Sequence, residues 1–125
     1  MVKSNISTIL VAIFLALGMI FEGIYIKNQF GELSSAFNVL YQKVEQEVAK
    51  EDDVLAVQKN WINKKNHLHI FIPHGDIKEI DLWLSEAVTL VRDKEWKDAI
   101  SKIEVLKELA EQIPSSFYLK LGNIL

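Results

Sequence analysis

The chain opens on an almost unbroken apolar run: residues 6–21 carry no charge, and between residues 4 and 26 Glu22 is the only side chain charged at neutral pH. Wound as a helix, those 23 residues reach about 35 Å, enough to cross a hydrocarbon core of about 30 Å with some tilt. The pattern predicts a transmembrane helix, with residues 1–27 as a signal-anchor and residues 4–26 in contact with the bilayer. A cleaved secretory signal competes with this reading, because Lys3 supplies a positive n-region and Ala16-Leu17-Gly18 loosely imitates a small-x-small cleavage site. Apolar residues nevertheless continue through Met19, Ile20, Phe21, Ile24, Tyr25 and Ile26, where a mature soluble N-terminus would leave them in water. The uncleaved anchor is the better reading. An all-round apolar helix buried in a soluble protein needs neighbours on every side, and the remaining chain is too short to provide them. Glu22, close to the end of the span, reads as a boundary residue at the interface rather than a proton-handling group within the membrane.

Past the span the period changes. Leu33, Phe37, Leu40, Tyr41, Val44 and Val48 recur at steps of three and four, the stripe of an amphipathic helix. Glu51-Asp52-Asp53 marks a turn and the next N-terminus, where negative charge opposes the helix dipole. A second helix follows with Val54, Val57, Trp61, Leu68 and Ile72 on its stripe, its gap filled by Lys64 and Lys65 with packed stems and ammonium groups lifted outward. Pro73 and Gly75 break that pattern, and Asp76 with Glu79 fits a capping box that opens a third helix. The stripe of this helix is Ile77, Ile80, Leu84, Ala87, Val88 and Val91, widened by Trp83 and Leu90, with Leu82 nearly opposite. After the turn at Arg92-Asp93-Lys94-Glu95, a fourth helix carries Trp96, Ala99, Ile103, Leu106, Ala110 and Ile113 up to Pro114, and residues 115–125 read as a short docked helix. Asp52, Ala56, Val57 and Lys59 echo Glu95, Ala99, Ile100 and Lys102 at a constant offset of 43 residues, each set opening the second helix of a hairpin. The expected architecture is all-α: a transmembrane helix, then one helical domain at 28–125 built as a four-helix up-and-down bundle of two hairpins with a short C-terminal docked helix.

Composition narrows the function classes. Fourteen Lys and Arg against seventeen Asp and Glu leave a net charge of -3, without the basic surplus that a nucleic-acid groove needs. The chain has no cysteine, which excludes disulfides, thiolate metal sites and cysteine nucleophiles together. Lys3 and the amino terminus on one side of the span, against Lys27 close on the other, give a slight push toward a cytoplasmic N-terminus. The expected location is the cell membrane, single-pass, with the helical domain outside the cytoplasm.

Candidate chemistry is sparse. His67, His69, His74 and Asp76 fall within ten residues, and imidazole with carboxylate suits zinc or iron. On a helix, however, His67 and His69 diverge by about 200°, whereas a zinc helix uses an i, i+4 pair; on a strand they would share a face. His74 is better read as a corner residue bonded to a backbone carbonyl or to Asp76 or Asp81. No nucleophile elbow and no phosphate-cradling glycine pattern is present, and the paired carboxylates stand at helix starts, where capping explains them. No catalytic residue, metal or cofactor is therefore expected, with a metal- or ligand-sensing histidine corner as the alternative. The partner surface is expected around Leu82 and Trp83, which lie off the main stripe, and on the tail at Phe117 and Tyr118. Its occupant would be another membrane protein or a second copy.

Trp61, then Leu68 to Phe71, His74-Gly75-Asp76-Ile77 with Ile80-Asp81, and Ile113-Pro114 leading into Leu121-Gly122-Asn123-Ile124-Leu125 together resemble the domain of unknown function 4363 family. Its members are small proteins of spore-forming Gram-positive bacteria, generally with one N-terminal hydrophobic segment. The resemblance covers nearly the whole chain. It departs at Gly75-Asp76, where the family more often has Glu in a His-x-Glu-Ile core, and at Ser115-Ser116, where acidic residues are usual. It implies a membrane-tethered helical domain and no enzymatic activity.

Overall fold

The computed structural model describes residues 2–124, folded as α1 (Val2–Glu45), α2 (Glu51–Leu68), α3 (His74–Arg92) and α4 (Trp96–Ile124). The all-α class and the four-helix bundle expected from periodicity are the fold of this chain. Successive helices pack side by side and α4 closes against α1, the up-and-down arrangement that short connections favour. Beyond the bundle, the N-terminal part of α1 projects as a stem. Its residues 5–18 are all exposed, and it is long and apolar enough to cross a membrane.

Two joints differ from expectation. Stem and first bundle helix form one uninterrupted helix of 44 residues. No proline or turn pair separates them, and Gly23 and Gly31 each cost a helix only about 1 kcal/mol relative to Ala. The segment after Pro114 is likewise no separate element, because α4 runs through the proline to Ile124. Pro114 removes the bond to the Ala110 carbonyl and crowds that turn. Three contacts hold the helix together across it: Ser115 Oγ donates to the Glu111 carbonyl at 3.1 Å, Phe117 packs on the core, and the Tyr118 hydroxyl donates to the Gly23 carbonyl at 2.6 Å. Since the helix passes straight through, Pro114→Ala is expected to stabilise the fold by about 1–3 kcal/mol. A higher melting temperature of the detergent-solubilised chain by circular dichroism checks this, and a lower one overturns it.

The core has two layers. At the stem end, Ile26, Phe30, Leu33 and Phe37 of α1 meet Trp61 and Leu68, Ile77 and Ile80, and Leu106 and Ile113. At the far end, Leu40 and Val44 meet Val54, Ala87, Val91, Ala99 and Ile103. The predicted stripes lie here, joined by Ile26, which the sequence pattern assigns to the bilayer span, and by Phe30, which falls on no predicted stripe; of the predicted positions Val48 is 58% exposed, because α1 has already ended. Its end is capped by Glu47 at φ 58°, with Val48 N–H on the Lys43 carbonyl at 2.9 Å. The end of α3 repeats this motif, with Lys94 at φ 57° and Glu95 N–H on the Leu90 carbonyl at 2.9 Å. The sequence echo, by contrast, joins non-equivalent positions, since Ala99 is buried and Ala56 exposed.

Capping also moves from where it was expected. The third helix starts at His74, after Pro73, so Asp76 lies inside its first turn and no box forms with Glu79 as partner. A proline before the first helical residue lets the helix start early without losing a bond. The reaching-back carboxylate is instead Asp53 of α2, whose Oδ2 accepts the Lys50 backbone N–H at 2.8 Å while Oδ1 accepts from Lys43 Nζ at 3.1 Å. That backbone bond, then the Lys43 bond, hold the carboxyl below its usual 3.8. A depressed folded value means that the stabilisation is complete above about pH 3.8 and fades as pH falls through the lower folded value. Asp53→Asn is therefore expected to lower the melting temperature at neutral pH, with the gap to the parent closing in strong acid. A pH-independent gap would contradict this.

Candidate functional site

Each seam of the bundle carries a polar rung. Lys43–Asp53 at 3.1 Å and Lys64 with Gln29 and Glu32 join α1 to α2. Asp81 joins α2 to α3, accepting Trp61 Nε1–H at 2.7 Å and Lys65 Nζ at 3.0 Å. Lys102 and Glu86, 3.3 Å apart, join α3 to α4. Tyr41, whose hydroxyl donates to Glu104 Oε1 at 3.3 Å, and the Tyr118–Gly23 bond join α4 to α1. Desolvation, and then the Glu104 and Glu45 carboxylates, hold the Tyr41 phenol above its usual 10.0, so it serves as a donor. These pairs position helices, and none of them faces an enclosed cleft.

The lysine slot of α2 works differently from the outward-lifted arrangement expected of it. Lys64 is only 9% exposed and its ammonium turns to α1, while Lys65 turns to α3. Both chains are long enough to cover the core with their stems and still reach a carboxylate on the next helix.

The histidine corner is spread out. His67 sits on the last turn of α2 with Nδ1 3.1 Å from the Asn63 carbonyl, His69 in the turn, and His74 at the first position of α3. All three are exposed, and Asp76 is half-buried. Among the described residues, no group of three or more His, Asp or Glu is placed to hold a metal ion. Asp81, weighed above as a partner for His74, is held by Trp61 and Lys65.

The surface candidates fall in two places. Leu82 stands 56% exposed on α3. Next to it Trp83 is half-buried against the core, with Lys102 Nζ 4.5 Å above its ring. A shallow depression lined by Ser85, Glu86, Thr89, Leu90 and Lys102 adjoins them. Phe117 and Tyr118 lie on α4, beside the stem. Their rings meet edge to face at 6.2 Å, Phe117 is packed on the core, and Tyr118 lies against Gly23, where an added Cβ would come within 3.2 Å of Tyr118 Cε1.

Gly23 and Glu32 are the positions that sequence reasoning passed over, and it pairs Asp81 with His74 instead of Trp61 and Lys65. For Gly23 a signal existed, because a small residue in an apolar helix permits close approach of a neighbour. The roles of Glu32 and Asp81 depend on residues 32 and 16 to 20 positions away and leave no local mark.

No curated protein and no solved structure matches the chain. A family model does match, over residues 20–124, and so takes in the end of the apolar segment and every helix of the bundle. The chain belongs to the family described as domain of unknown function DUF4363.

Proposed function

We propose that this protein is a non-enzymatic, single-pass membrane protein of the bacterial envelope whose helical domain, held outside the cytoplasm, binds another envelope protein or a second copy of itself. One observation carries the reading: a 44-residue helix is exposed and apolar along its N-terminal part and continues without a joint into the bundle core. The bilayer is the solvent that such a stem fits. The family resemblance to small proteins of spore-forming Gram-positive bacteria supports the envelope setting, and the weak excess of positive charge at the N-terminus supports the orientation. The polar pairs are spent on seams between helices, which favours a presenting surface over a reacting one.

The presented surface is the α3 face at Leu82 and Trp83. An isolated exposed leucine is ordinary; this one is followed on α3 by Trp83, half-buried under the Lys102 ammonium, so a partner covering both would find apolar, aromatic and charged groups. A photo-crosslinking residue at Leu82, in the full chain in native membranes, is expected to give an adduct heavier than the monomer that the same probe at Leu55 of α2 does not give. Monomer alone from both positions would sink the reading.

A further inference from the structure

The stem end of the bundle is built to touch lipid at places other than the stem. Outside α1, the two most exposed large apolar side chains among the described residues are Ile70, at 74%, and Leu119, at 71%. They belong to different elements, the α2–α3 turn and the end of α4, yet both lie at the stem end. Tyr25 and Gln29 of α1 share a hollow with Lys64 and His67 of α2, which puts the following turn level with the top of the apolar run. Phe71, Ile72 and Pro73 of that turn enclose a small space with Ser116 and Phe117, so the turn and the α4 end are side by side. Leu119 follows Tyr118, whose hydroxyl is on Gly23.

The α4 end also goes deeper. Ala16, Met19, Gly23 and Ile24 of the stem line one apolar hollow with Tyr118 and Gly122. Antiparallel to α1, the helix from Tyr118 to its end at Ile124 advances about 9 Å down the stem. Small residues at Ala16, Gly23 and Gly122 allow the close approach used by helices that meet in lipid. Three N–H groups of the turn are satisfied internally, as backbone near hydrocarbon needs to be. His69 N–H bonds to the Lys65 carbonyl at 3.0 Å, and Phe71 and Ile72 N–H bond to the Leu68 carbonyl at 2.9 and 3.0 Å. His67, His69 and His74 stand exposed on either side of Ile70 in the chain, and Tyr25 and Tyr118 are of the residue type that membrane interfaces favour.

We infer that the bundle is seated on the bilayer its own stem crosses: Ile70 of the α2–α3 turn and Leu119 at the α4 end enter the same leaflet, so the membrane holds the domain at three points. This rests on the membrane reading above, and the two are separable by experiment. The chain is free of cysteine, so single nitroxide labels at Leu15, Ile70, Leu119 and Val48 can be placed in the full chain. The labelled proteins are reconstituted in phosphatidylcholine–phosphatidylglycerol vesicles and probed for collision with oxygen and with a water-soluble nickel chelate. Labels at Ile70 and Leu119 are expected to collide several-fold less with nickel, and more with oxygen, than the label at Val48, which is exposed at the far end. If either matches Val48 while Leu15 remains in lipid, the seating is wrong and the anchor stands. If Leu15 also reports water, the membrane reading itself falls. Melting curves that coincide with the unlabelled chain confirm that the labelled surface positions leave the fold intact.

Discussion

Replacing Trp61 by alanine is expected to cost about 3–5 kcal/mol, the range for deleting a large buried aromatic side chain. Trp61 is 1% exposed and lies in the stem-end layer contributed to by all four helices, so little can collapse into the space it leaves. Its second task is polar: the indole N–H is a donor to Asp81 at 2.7 Å, and hydrogen bonds to charged groups contribute about 1.5–3 kcal/mol. Trp61→Phe separates the two tasks. It retains most of the ring while Asp81 keeps Lys65, and the expected loss is about 1.5–3 kcal/mol. Denaturant titration of the detergent-solubilised chain, followed by far-ultraviolet circular dichroism, reads both variants. An alanine variant as stable as the phenylalanine one would show that this layer is not the anchor of the fold.

The second large effect concerns the joint between stem and bundle. Asn28 is exposed on α1, two residues past buried Ile26 and two before buried Phe30. Asn28→Pro removes the backbone bond to the Ile24 carbonyl and sets the ring against it, at a cost of about 3 kcal/mol or more. Because the native side chain faces solvent, Asn28→Ala should stay within about 0.5 kcal/mol of the parent and isolates the backbone effect. The proline variant is also expected to gain a protease cut close to residue 28 that the parent lacks, since the continuous helix is what denies a protease an extended segment there. A proline variant that melts with the parent and gains no cut would mean that the stem and the bundle are mechanically independent.

That continuity bears on the proposed function. A bundle on a flexible linker would offer its α3 face in any orientation, whereas a bundle fused to its own stem presents Leu82 and Trp83 at a set angle to the bilayer. Seating through Ile70 and the α4 end would restrict the remaining tilt. A partner in the same membrane then meets a surface already oriented for it, which lowers the ordering cost of association.

Much of this was legible along the chain. The length and lack of charge of the apolar run make it a helix able to cross a membrane, and amphipathic stripes declare which face of each helix is buried, because a period of 3.6 decides burial whatever the helix packs against. Leu33, Phe37, Leu40 and Val44, or Ile77, Ile80, Leu84 and Val91, needed no tertiary information to be placed in the core. What the tertiary structure alone decided are the pairings between distant residues and the helix ends that depend on them. Lys64 is buried because Gln29 and Glu32 wait across the seam, and Asp81 serves Trp61 rather than His74. The fourth helix outruns Pro114 because Tyr118 finds the Gly23 carbonyl 95 positions away. Local propensity counts the cost of a proline or a buried charge at its own position, while the compensating bond comes from a residue that only folding brings near.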